Sequence, residues 1–249
     1  MTRAGALIFG SFRTYVPRPE ADTALFCFPH AGGAASFFSS WASLAPAQVA
    51  IHAAQYPGRE DRFGEPLATG ISKLADAMAV EVLAVRERRV ILFGHSLGAL
   101  LAYEVACRLE ESGTPASRLV VSGMGAPHHV SGAFSRLEDL PSAMAELRRL
   151  GGTDSEVLDA PGLLEFLAAV FKADSDLAAE YRHTQGKKLT ATPVDVFLGD
   201  RDPDLGPAQA EHWAELAARA QVTVFPGDHF YLTPQRTEVL ASVLRPQVA

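Results

Sequence analysis

The chain has 249 residues, 48% of them hydrophobic and 20% charged, which is enough to bury one sizeable core and too ordinary a mixture for a disordered or fibrous protein. A formal net charge of −7, from 22 Lys and Arg against 29 Asp and Glu with no basic run, argues against nucleic acid or an anionic membrane surface as the main partner. Cys27 and Cys107 are the only cysteines and, lacking metal-ligand spacing, read as buried free thiols of a cytoplasmic protein.

The opening stretch "MTRAGALIFGSF" carries one arginine and a short apolar run. It is too short to span a bilayer and lacks a small-residue cleavage site, so it is not expected to direct export. Strand-like runs bounded by turn residues follow at Ala24–Phe28, Val49–Ala54, Val90–Phe93, Arg118–Ser122, Val194–Leu198 and Val222–Phe225. Helix-like segments lie between most of them, among them Leu67–Arg86 and Leu100–Glu111, the latter stopped by Gly113 and Pro115. This alternation predicts an α/β fold with a mostly parallel central sheet flanked by helices. From about 126 to 190 no good strand occurs, only helical pieces at Pro141–Leu150, Gly162–Lys172 and Asp174–His183 joined by turns such as "GGTDSE" and "DAPG". An all-helical insertion between two sheet strands is expected to cap a site. With no repeat and no low-complexity linker, residues 1–249 read as a single domain.

Residues 89 to 107, "RVILFGHSLGALLAYEVAC", place Gly94-His95-Ser96-Leu97-Gly98 between a strand and a helix. This Gly-x-Ser-x-Gly pattern is a nucleophile elbow: the serine sits in a sharp turn, and side chains at the two glycine positions would strike neighbouring backbone. Ser96 is thereby presented at the helix N-terminus, where the dipole and the Leu97 N–H favour a developing oxyanion. A serine hydroxyl needs a base and an orienting carboxylate, expected in the chain order Ser, Asp or Glu, His. Of the eight histidines, His183 precedes the strand that should carry the acid, and His212 is expected mid-helix. His229 follows the last strand through the turn "PGD" and is the candidate base. The loop "GDRDPD" offers Asp200, Asp202 and Asp204 as the acid. Its offset from Gly199 and the following Pro203 favour Asp202, with Asp200 next, the others serving as turn residues or caps of a helix near Pro207. A second oxyanion donor is sought in "FCFPHAGGAASFF", with Ala31 preferred and Gly32 the alternative, and His30 is read as a pocket-wall residue.

Taken with these features, "CFPHAGGAASFFSSWA", "QYPGREDR", "FGHSLGALLAYEVA", "GMGAPH", "LRRLGGT", "KADSDLAAEYRH", "PVDVFLGDRDP" and "PGDHFYL" resemble, over nearly the whole chain, the type II (external, editing) thioesterases of polyketide synthase and nonribosomal peptide synthetase systems. The resemblance implies an α/β-hydrolase fold with a helical lid. It also implies hydrolysis of acyl thioesters from the phosphopantetheine arms of acyl or peptidyl carrier proteins, removing stalled or aberrant groups. The triad then falls on Ser96, Asp202 and His229 and the oxyanion donors on Ala31 and Leu97, with no metal or organic cofactor and a monomer as the simplest state. Lys172 departs from the family's expected arginine, keeping the charge without bidentate pairing. Arg59 and Arg62 read as a salt-bridged turn, or alternatively as guides for an acidic carrier. Competing functions are a general carboxylesterase on the same fold and a non-catalytic carrier-binding scaffold. An integrated chain-terminating domain is less expected, because the chain opens on Met1 without a synthase module or linker. The segments "MAELRRLGG" and "LLEFLAAVF" carry apolar faces suited either to lining an acyl channel or to simple lid packing.

Overall fold

The computed structural model describes residues 7–129, 137–152, 159–184 and 186–246. Its strands are β1 (Leu7–Phe9), β2 (Phe12–Thr14), β3 (Thr23–Phe28), β4 (Val49–Ala54), β5 (Arg89–His95), β6 (Arg118–Ser122), β7 (Val194–Gly199) and β8 (Ala220–Phe225). They form one eight-stranded sheet in the order β1-β2-β4-β3-β5-β6-β7-β8. The hairpin β1–β2 and the β2–β4 pair are antiparallel, and every later pairing is parallel. All six expected strands are present, Val49–Ala54 and Arg118–Ser122 with the expected bounds and the other four longer at one or both ends. The hairpin is an addition, formed where the sequence suggested only a short apolar run, and Met1 to Ala6 lie outside the described residues.

The helices are α1 (Ser39–Leu44), α2 (Ile71–Leu83), α3 (Leu97–Glu111), α4 (Leu140–Leu150), α5 (Pro161–Glu180), α6 (Pro207–Glu211) and α7 (Arg236–Leu244). Helix α2 starts later than expected because Gly70, extended at φ −178°, serves as its N-cap. Asp139 caps α4 by accepting the Ser142 N–H at 2.8 Å, followed by Pro141 in the first turn. The two pieces expected at Gly162–Lys172 and Asp174–His183 are one 20-residue helix, α5. No glycine or proline interrupts "LLEFLAAVFKADSDLAAE", so nothing breaks the backbone ladder. Between β6 and β7 the described residues hold α4 and α5 and no strand of the sheet. The turn "GGTDSE" from Thr153 onward lies outside the described residues.

Successive residues of a strand face opposite sides of the sheet, and both sides are buried. Phe26, Phe28 and Leu92 join a core under α2 and α3 with Leu97, Leu101 and Tyr103. Leu25, Cys27, Ile91 and Phe93 join the opposite core under α1 and α7 with Phe38, Trp41 and Val239. Arg118, at the start of β6, donates to the carbonyls of Ser242, Val243 and Arg245 at the C-terminus of α7, where a cation also complements the helix dipole. Both cysteines are free and buried. Among the described residues no helix is long and apolar enough to cross a membrane.

The registers bring the site-bearing loops to one edge. Phe28 pairs with Gly94 and His95 with Ser122 at the C-terminal ends of the parallel strands, so the loop after β3 and the β5–α3 turn emerge side by side. Gly199 pairs with Phe225, which places the loops after β7 and β8 together at the same edge. The contact that permits this approach is at Gly98, where a Cβ would stand 2.0 Å from the Phe28 carbonyl oxygen and 2.6 Å from that of Pro29. Gly98→Ala is therefore expected to cost about 3 kcal/mol or more, lowering the thermal midpoint by roughly 6–12 °C. An unchanged midpoint in a melting experiment would show that the β3 backbone yields at little cost.

Candidate active site

Ser96 occupies the N-cap of α3 with φ 55° and ψ −122°, a positive φ that only Glu60 shares among described non-glycine residues. Its N–H donates to the Ser122 carbonyl at 2.8 Å and its carbonyl accepts from Ala99 at 2.8 Å, so neighbouring strand and helix hold the strained turn. The steric role of the flanking glycines is borne out. A Cβ at Gly94 would lie 2.1 Å from the Gly98 carbonyl oxygen.

The loop after β7 gives each aspartate a separate task. Asp202 Oδ2 lies 2.9 Å from His229 Nδ1, with the two side chains 0% and 5% exposed. Asp200 instead accepts the Gly227 N–H at 2.8 Å, and Asp204 pairs with Arg149 of α4 at 2.7 Å. Neither caps the following helix, whose N-cap is Gly206. Among the three, Asp202 is the one bonded to a candidate base. His212 is not mid-helix as expected but closes α6 and opens a short 3-10 turn, because Pro207–Glu211 provides little more than one helical turn.

Ser96, His229 and Ala31 line one cavity of about 630 Å³. Met124, Ala126, Leu137, Leu150, Phe171 and Leu205 give it apolar wall, while Glu146, Arg149, Asp204, Gln209, His129 and His212 add polar groups. Helices α4 and α5 thus contribute to the lining through Leu150 and Phe171, whereas Ala143 and Leu147 are buried and Leu163 and Phe166 stay exposed. The segments "MAELRRLGG" and "LLEFLAAVF" thus each combine cavity wall with buried packing.

What holds the loop after β3 was not visible in the motifs taken singly. Arg59 is 3% and Asp174 2% exposed, and they form a bidentate pair, Nη1 to Oδ2 at 2.6 Å and Nη2 to Oδ1 at 2.9 Å. Asp174 Oδ2 also accepts the Gly32 N–H at 2.8 Å, while Arg59 Nη1 donates to the Gly33 carbonyl at 3.1 Å. Gln55 accepts the Ala35 N–H at 2.7 Å and Tyr56 donates to the Pro29 carbonyl at 2.9 Å. Buried at this depth, Arg59 is a brace and is not placed to guide a carrier. Arg62 matches the salt-bridged turn, pairing with Glu65, and Lys172 pairs with Asp176 one turn along α5. With the Gly32 N–H committed to Asp174, Ala31 is the remaining candidate donor of the two the loop offered. The available signal was an aspartate directly after the apolar run of "LLEFLAAVFKAD", since a carboxylate that follows such a run into the core requires a cation nearby.

Two further histidines shape the surroundings. His95 Nδ1 lies 3.0 Å from Ser122 Oγ, which is 2.7 Å from the Tyr231 hydroxyl, and its ring centroid is 4.8 Å from that of His229. Burial above all holds its pKa well below the ordinary value, with His229 and His30 adding repulsion. His30 packs edge-on against Phe37 and Phe230, each at 4.8 Å. Its pKa is pushed down to about 3, first by burial and then by His229 and Arg59.

Removing one partner of the buried pair leaves an unpaired charge and is expected to cost about 3–5 kcal/mol, whereas an apolar pair of similar volume often restores stability. Asp174→Leu should therefore melt well below wild type, and Arg59→Met/Asp174→Leu should regain most of the loss. The double variant should still turn over roughly tenfold more slowly, because the Gly32 N–H has lost its acceptor. Stability and kcat recovering together in melting and kinetic assays would mean that the pair serves stability alone. His30 predicts acid sensitivity. It stays neutral in the fold while the unfolded chain protonates below about pH 6.5, so its contribution is complete above that pH and erodes as pH falls toward 3. Urea unfolding of His30→Gln between pH 7 and 4 should show a shallower loss than wild type, and an identical slope would assign the acid sensitivity to other groups.

Residues 23–247 match the model of the thioesterase domain family. The "Probable cadicidin biosynthesis thioesterase" of Streptomyces griseus is 33% identical over 241 residues, 95% of this chain and 66% of that protein. Thioesterase PikA5 of Streptomyces venezuelae is 35% identical over 230 residues, covering 91% of this chain and 82% of that protein. The solved type II thioesterase BorB from the borrelidin biosynthetic cluster superposes with a TM-score of 0.84 at 37% identity, over 94% of this chain and 98% of the other. The elbow serine, the wound parallel sheet and this family match agree, and the chain belongs to the thioesterase family as a thioester hydrolase of α/β-hydrolase fold.

Proposed function

We propose that Ser96, His229 and Asp202 form the catalytic triad of an editing type II thioesterase that acts on acyl groups carried by the phosphopantetheine arms of carrier proteins. The observation that carries the reading is the buried 2.9 Å contact between Asp202 and His229 Nδ1, beside a cavity that His229 shares with Ser96. In this reading His229 Nδ1–H donates to the Asp202 carboxylate, which leaves Nε2 as the nitrogen that accepts the serine proton. Ser96 Oγ attacks the thioester carbonyl, and the oxyanion is received by the Leu97 and Ala31 N–H groups. Breaking the C–S bond returns the proton to the leaving thiol through His229. Water then attacks the acyl-enzyme with His229 again as base, releasing the acid and restoring Ser96.

The carrier-bound substrate is supported by the names of the relatives, biosynthetic thioesterases and a type II enzyme from a biosynthetic cluster. The roomy and partly polar cavity accommodates an acyl chain or the amide-bearing arm. Matched acyl groups on a phosphopantetheinylated carrier, on coenzyme A and as an oxygen ester separate the possibilities. Higher kcat/KM on the carrier, abolished in Ser96→Ala and lowered about 10⁴-fold in Asp202→Asn, is the expected outcome. Equal or better turnover of the oxygen ester would favour a general carboxylesterase, and wild-type inactivity with every substrate would favour a binding scaffold.

A further inference from the structure

Away from the triad, on the wall between the main cavity and a second depression of about 370 Å³, two histidines meet one carboxylate. His128 and His129 follow β6 at the entrance to the helical insertion, and Glu215 ends the 3-10 turn that follows α6. His128 Nε2 lies 3.0 Å from Glu215 Oε2, and His129 Nε2 lies 3.2 Å from Oε1 of the same carboxylate. The donor atoms of the three residues all fall within 4.8 Å of one another. His212 stacks on His129 at 4.0 Å between ring centroids, and His183 stands 5.7 Å from His128.

A surface His–Glu ion pair needs one imidazole and one carboxylate. Here two imidazoles address the two oxygens of a single carboxylate, so that nitrogen and oxygen donor atoms of three residues converge on one small volume. Such a convergence suits a divalent cation, because imidazole nitrogens and a carboxylate oxygen are a ligand set for zinc-class metals. In a tetrahedral zinc site with bonds near 2.0–2.1 Å, donor atoms stand about 3.3 Å apart; each His–Glu contact, one to each carboxylate oxygen, is close to that, and side-chain adjustment within the 4.8 Å cluster brings all three ligands to one metal. The geometry points to a divalent transition-metal site formed by His128, His129 and Glu215, with the remaining coordination open to water or another donor. The metal has no part in the hydrolytic steps. It ties the first residues of the insertion to the connection between β7 and β8, and it does so at the cavity's edge, since His129 and His212 line that cavity.

The test uses chelator-treated full-length protein with any affinity tag removed. Zn²⁺ is titrated by calorimetry, and Co²⁺ is followed by its visible absorption. His129→Ala and Glu215→Gln, both at exposed positions, are the variants, with circular dichroism confirming that they fold. Wild type should bind one equivalent of Zn²⁺ and give a Co²⁺ spectrum of low coordination number. Losing even an outer partner of a metal ligand costs about 10–100-fold in affinity, so each variant should bind more than roughly tenfold more weakly. Absence of stoichiometric binding to wild type, or affinity unchanged in either variant, overturns the assignment.

Discussion

The active-site edge depends on one buried ion pair. Asp174 comes from α5, Arg59 from the loop after β4, and the Gly32 N–H they hold comes from the loop after β3. Three segments distant in sequence thus meet on a single carboxylate, whose two oxygens are used by a guanidinium fork and a backbone donor. Such a pair contributes little net stability once desolvation is counted. Its value lies in direction: a planar fork and a carboxylate fix relative orientation as well as distance, and the loop that follows Phe28 has few other means of holding a set conformation. Gln55 and Tyr56 complete the brace from the same short stretch, which gives a physical reason for "PHAGGA" and "QYPGR" to occur in one chain.

Around that brace, the sheet supplies the rest by register. Because β3, β4, β5, β6, β7 and β8 run parallel, their C-terminal ends and the loops leaving them share one edge. Strain is concentrated at Ser96, whose positive φ is paid for by the hydrogen bonds and packing of the elements on either side. The two flanking glycines let α3 approach β3 and β5 at distances that any side chain would forbid.

Much of this was legible in the sequence because it rests on local rules. The strand runs and the elbow glycines follow from residues close together in the chain, and the Ser, Asp, His order follows from the chain order that such an elbow requires. Asp202 was distinguishable from Asp200 and Asp204 only by its offset from Gly199 and the following Pro203, and of the three it is the one in contact with His229. What escaped was non-local. The partner of Arg59 lies 115 residues away, and no spacing rule connects a turn to the middle of a helix. The division of α5 into two pieces failed for a related reason: with no breaker at Lys172 to Asp174, the polar residues mark an ion pair and a buried contact instead of a helix end. The short α1 and α7 sit near the limit where periodicity identifies a helix at all, and α6, expected near Pro207, ends at Glu211. The N-terminal hairpin is shorter still, and it is defined by pairing with β4, not by its own pattern.

That α5 is one unbroken rod has a consequence for how such a chain can change over time. Phe171 and Asp174 stand three residues apart, on neighbouring positions of one helical face, the first at the cavity wall and the second under the Gly32 loop. Replacing Phe171 resizes the wall and leaves Asp174 where it is. Inserting or deleting one residue upstream within the helix turns everything beyond it by about 100° and shifts it by about 1.5 Å, removing wall and brace together. The helix is therefore permissive in spelling and strict in length, so variation in what the cavity holds is confined to side-chain exchange at constant register.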